Sequence, residues 1–195
     1  MSEKGKRIAH PLEEQMNAPA WDILDAIANG FRAQIDVKGK LAELYVYKQL
    51  LRLAKHHIIS NLKWLDIDGQ PDFTLTYKER LFRIECKNVR GKDALYKRGD
   101  YKGFPQVELQ KTRTGIDPKT GSNTRGYNVS HFDVLAACLF NQTGRWEFLF
   151  IPSSALERRE DNSALLKIFQ PVPKTPQRAW QEDIIPVLDA IVSSA

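Results

Sequence analysis

The chain has 195 residues, 42% of them hydrophobic and 27% charged, with a formal net charge of +5 and a pI near 9.2. That length suits one domain with a substantial core, alone or with terminal extensions. No apolar run reaches the roughly 20 residues a membrane span needs, the start lacks an apolar leader stretch, and Cys86 and Cys138 alone imply no disulfide framework. The expectations are a cytoplasmic protein and no membrane partner.

Residues 1–18 are polar and aperiodic, and are expected to form a flexible arm. A short amphipathic helix is predicted over 20–31, with Trp21, Ile23, Leu24 and Ile27 as its apolar positions. A longer helix is predicted over 37–56. On it, Gly39, Val46, Tyr47, Leu50, Leu53 and Ala54 fall at helical spacing from Glu43. Glu43 therefore sits on the apolar stripe, where a carboxylate needs a cation or a hydrogen-bond donor. Strand signals follow at 58–59 and 63–67, and Gly69-Gln70-Pro71 reads as a turn.

The next segment carries the most information. Pro71-Asp72-Phe73-Thr74-Leu75-Thr76-Tyr77 turns at Lys78-Glu79 and returns as Leu81-Phe82-Arg83-Ile84-Glu85-Cys86-Lys87. Side chains alternate along a strand, so Glu85 and Lys87 share a face. A turn centred between Lys78 and Glu79 sets Asp72 opposite Glu85. Opposed side chains lie about 4.5–5.5 Å apart at Cβ. Two carboxylates that close repel unless a positive charge lies between them. A divalent cation fits, and oxygen ligands suit Mg²⁺.

Beyond the hairpin, 88–124 reads as loops around one short helix near 105–112. The window 88–126 holds nine Lys or Arg against four acids, as much net charge as the whole chain. Such a stretch can form an electrostatic footprint for phosphate backbones. Residues 131–140 are nearly all apolar, as in a strand buried on both faces. A turn at 141–144, a strand over 145–151 and a helix starting near Ser153 or Ser154 come next. Residues 171–176 read as a Pro-rich linker, and a terminal amphipathic helix is predicted over 177–192 despite Pro186. The expected division is an arm (1–18), a domain (19–170), then the linker and C-terminal helix (171–195) packing on the domain or on a dimer partner.

Other chemistries find no support. His10, His56, His57 and His131 lack zinc spacing. No Gly-rich loop of the form GxxxxGK[ST] occurs, so ATP hydrolysis is not indicated.

Pro71-Asp72, a gap of twelve residues, and Glu85-Cys86-Lys87 resemble the motif of the PD-(D/E)XK nuclease superfamily. The helix with Glu43 looks like the one that precedes the catalytic hairpin there. The resemblance implies a restriction-endonuclease-like α/β fold, a mixed β-sheet flanked by helices. It implies that Asp72 and Glu85 bind metal, with Glu43 completing the site directly or through water. The Cys86 backbone carbonyl is a further ligand candidate, its side chain pointing to the core. Lys87 would orient or help deprotonate the attacking water. Gln110, or Gln106 if the helix register differs, would position Lys87 or a phosphate. Arg90, Lys111, Arg113 and Arg125 are candidate phosphate contacts. The implied function is a Mg²⁺-dependent endonuclease on double-stranded DNA, restriction-type, with Mn²⁺ able to substitute, acting as a homodimer. The alternatives are a nuclease of this fold on a Holliday junction, homing site or structured RNA, or a catalytically silent nucleic-acid-binding protein.

Overall fold

A computed structural model describes residues 10–67, 69–110 and 126–194. The chain forms two units, one running through Lys40 and one from Leu41.

The first unit holds α1 (Pro11–Met16), α2 (Ala20–Asn29) and the first ten residues of α3 (Phe31–Lys55). A helix thus occupies part of the segment expected as an arm. Its signal is local capping chemistry rather than periodicity. His10 Nδ1 accepts the Leu12 N–H at 3.2 Å, and Glu13 accepts the His10 N–H at 2.7 Å. Pro11 stands at the first helical position, where no N–H is needed. No residue from 10 to 40 is buried.

The second unit is built on a five-stranded sheet in the order β1-β2-β3-β5-β6: Ser60–Trp64, Phe73–Tyr77, Arg80–Asn88, Val134–Cys138 and Phe148–Pro152. The β3–β5 pair is parallel and the others antiparallel. Helices flank this mixed sheet, which is the α/β architecture expected from the sequence. Strand β4 (Gln106–Glu108) pairs with β7 (Phe169–Pro171) in a separate two-stranded ribbon.

The pleat sorts the sheet into two faces. Phe73, Leu75, Phe82, Ile84, Cys86, Val134, Ala136 and Phe150 pack against Ala42, Val46 and Leu50 of α3 and against α5 (Ile184–Ser193). The other face, with Leu135, Ala137, Leu149 and Ile151, packs against Val107 of β4, Leu109, Tyr127, Phe132, Leu166 and Val172. Each such large side chain taken out of water contributes about 1.5–3 kcal/mol.

The hairpin has the expected register. Phe73 pairs with Ile84 and Tyr77 with Arg80. The connection is two residues, Lys78 and Glu79, with φ of 46° and 64°. Both sit in the left-handed region, as a type I′ turn requires. Asp133 joins β3 to β5: its carboxylate accepts from Arg83 Nε (3.1 Å), a terminal guanidinium nitrogen (3.1 Å) and the Arg83 backbone N–H (2.8 Å).

Several expectations need correction. No strand forms at 58–59, because the chain turns at His57 with φ 55° and β1 begins at Ser60. Residues 106–108 are a strand rather than part of a helix, since pairing with β7 overrides their helix propensity. The long apolar run yields a shorter strand, with Phe140 already opening α4 (Phe140–Thr143). The helix after β6 is a single 3-10 turn, Ser153–Ala155. The start of the Pro-rich segment is no linker: Pro171 ends β7 and Val172 is fully buried. The terminal helix begins only at Ile184, capped by Asp183. That puts Pro186 in its first turn, where a missing N–H costs no helical bond. Ile184, Val187 and Leu188 are buried in the core, so this helix packs on the domain.

Candidate active site

Asp72 lies at the entrance to β2, one pair beyond Phe73–Ile84, and so opposite Glu85. Its Oδ2 accepts the Cys86 backbone N–H at 2.7 Å. That bond fixes the carboxylate to the neighbouring strand. Burial, reinforced by the charge of Glu85, pushes the Asp72 carboxyl up to about 7. Desolvation and a like charge both disfavour the ionised form, and here they act together.

Glu85 is almost fully buried, on the sheet face opposite Cys86. Its Oε1 takes two donors: an ion pair from Lys87 Nζ and a 2.6 Å hydrogen bond from the Tyr127 hydroxyl. Burial alone would lower the Lys87 ammonium, but the neighbouring negative charges, Glu85 foremost, outweigh it and raise it. Lys87 is thus a cation in this arrangement. Its Nζ stands 5.8 Å from the centre of the Tyr127 ring.

The sequence-predicted residues divide clearly. Asp72, Glu85 and Lys87 come together as the pleat predicts. Glu43 approaches from α3, and its Oε2 accepts the Trp64 Nε1–H at 3.0 Å. Its charge bears on Asp72 and on Cys86. Among the described residues, no three His, Cys, Asp or Glu side chains gather as metal ligands. The Cys86 thiol is buried in the core, and burial, followed by the charge of Asp72, pushes it up. It points away from Glu85 and Lys87, which leaves its backbone carbonyl as the only Cys86 candidate ligand.

Gln106 and Gln110 are not on a helix. Gln106 stands in β4 opposite Pro171, and Gln110 bridges Gly126. Arg90 follows β3 and pairs with Glu108 at 3.9 Å, its guanidinium 5.1 Å from the Phe169 ring. Lys111, Arg113 and Arg125 lie outside the described residues. Tyr127 is the residue that sequence reasoning missed. It sits after the basic window, and nothing in its spacing ties it to Glu85. Only the packing of the second sheet face brings it there.

Comparison with known proteins adds one structure. No protein-family model and no curated protein matches the sequence. The structure is similar to that of a bacterial homing endonuclease, with a TM-score of 0.46 and 14% identity, over 82% of this chain and 93% of that one. The functional reading therefore rests on the site itself.

Asp72 and Glu85 are the carboxylates that could hold a hard cation. Asp72 and Glu85 face each other, and each has one oxygen committed to protein donors. Among the described residues, these bonds engage neither Oδ1 of Asp72 nor Oε2 of Glu85. Burial first, and the charge of Glu85 second, disfavour the ionised form of Asp72, and a divalent cation held there would offset both.

Proposed function

We propose that the chain is a metal-dependent endonuclease of the PD-(D/E)XK kind, hydrolysing phosphodiester bonds of double-stranded DNA in restriction fashion. The opposition of Asp72 and Glu85 across the hairpin, with Lys87 ion-paired to Glu85 on the same face, carries this reading. Asp72 and Glu85 would hold Mg²⁺ or Mn²⁺, with the Cys86 carbonyl as a further ligand and Glu43 acting through water. Bound there, the ion would supply Lewis-acid polarisation of the phosphate and a more acidic water. The chain's own residues do the rest. Lys87, kept cationic by Glu85, orients the attacking water and offsets charge that develops on the phosphate. Glu85 serves both, since it fixes the Lys87 ammonium through Oε1. Arg90, Lys111, Arg113 and Arg125 attract the phosphate backbone, and a symmetric homodimer would present one site to each strand.

The test is incubation of supercoiled and linear plasmid with Mg²⁺, Mn²⁺ or EDTA. Cutting that needs the metal is expected, and discrete bands would mark sequence specificity. Cutting of junctions or structured RNA in place of duplex would move the substrate within the same chemistry. No metal-dependent cutting of any of these would overturn the reading.

A further inference from the structure

The site contains an aromatic hydroxyl that its acids and lysine do not account for. Tyr127 is buried at the edge of the second sheet face, where its ring packs edge-on against His131 and Phe132 at 5.6 and 5.7 Å. Packing alone would be satisfied by phenylalanine. The hydroxyl instead makes a 2.6 Å bond to Oε1 of Glu85, the oxygen that also pairs with Lys87. Short hydrogen bonds to an ionised carboxylate are among the stronger ones available. Two donors on one oxygen fix the rotation of the carboxylate.

We propose that Tyr127 is a positioning residue: its hydroxyl pins Oε1 of Glu85, so that Oε2 is presented to a divalent cation shared with Asp72. Its ring, 5.8 Å from Lys87 Nζ, helps set where the ammonium sits. Asp72 repeats the arrangement by a different route, since its Oδ2 is held by the Cys86 backbone N–H. Both carboxylates are thereby oriented before any cation arrives. Partners of this kind behind a metal ligand typically change metal affinity by about 10–100-fold when removed.

This inference rests on the proposed metal site, and the experiment separates the two. Mn²⁺ binding to the full chain is measured by calorimetry for the wild type, Tyr127→Phe and Asp72→Ala, with thermal unfolding alongside. Tyr127→Phe keeps the ring and removes only the hydroxyl. The expected result is wild-type binding, none in Asp72→Ala, and about ten-fold weaker binding in Tyr127→Phe with nearly unchanged metal-free unfolding. Plasmid cleavage by Tyr127→Phe should then recover as Mn²⁺ is raised, which a packing role alone would not produce. Wild-type affinity in Tyr127→Phe overturns the role of Tyr127 and leaves the metal site standing. An affinity loss matched by loss of folding also overturns it, because the hydroxyl would then be structural. A wild type that binds no Mn²⁺ overturns the metal site and this inference together.

Discussion

Asp72 is a perturbed acid, and its titration has a defined sign. Its carboxyl is raised from an ordinary 3.8 to about 7, first by burial and then by Glu85. The folded state therefore binds the proton more tightly than the unfolded state does. The stability this contributes is fully present below pH about 4 and is lost as pH rises through about 7. Metal-free protein should lose stability over that window, and Asp72→Asn, which cannot ionise, should flatten the loss. Urea unfolding at several pH values in EDTA checks this. An unchanged pH slope in Asp72→Asn would place the titration elsewhere.

Among the elements, the β2–β3 hairpin explains why the two acids were legible in the sequence. A two-residue connection leaves one register, and the period of two then fixes which side chains share a face. The I′ turn is made from unusual residues, with Lys78 and Glu79 both at positive φ. Lys78 is partly compensated by a 2.6 Å ion pair to Asp189, whereas Glu79 is exposed without such a bond in the hairpin. Glu79→Gly should stabilise the fold by up to about 1 kcal/mol, or about 2–4 °C in melting temperature for a chain of this size. A lower melting temperature would mean that Glu79 makes a contact the turn geometry does not reveal. Where longer-range pairing decided the structure, the sequence misled. Val107 and Leu109 are buried two residues apart, a strand period, but their partners lie some sixty residues away around β7. Tyr127 was invisible for the same reason, because its link to Glu85 spans 42 positions and depends on that second layer.

At the scale of the whole molecule, charge and exposed apolar surface point to partners. Replacing Arg113 or Arg125 by Ala should weaken DNA binding and lower the slope of log affinity against log salt by about 1 each. Fluorescence anisotropy across a salt series measures this, and an unchanged slope removes that residue from the contact surface. One face of α5 packs in the core through Ile184, Val187 and Leu188. The N-terminal unit instead exposes Trp21 (70%), Leu24 (52%) and Phe31 (79%) and buries nothing of its own. If the working species is a homodimer built there, Trp21→Ser with Phe31→Ser should shift it to monomer in sedimentation. A dimer that survives both changes has its seam elsewhere.

In the proposed function Asp72, Glu85 and Lys87 form one hydrolytic site. Its most direct test is Mg²⁺-dependent cleavage of duplex DNA by folded Lys87→Ala protein, with DNA binding measured on the same sample. Cleavage should fall by at least about 100-fold with binding retained, as when a positioned catalytic group is removed. Cleavage at the wild-type rate by Lys87→Ala would contradict it.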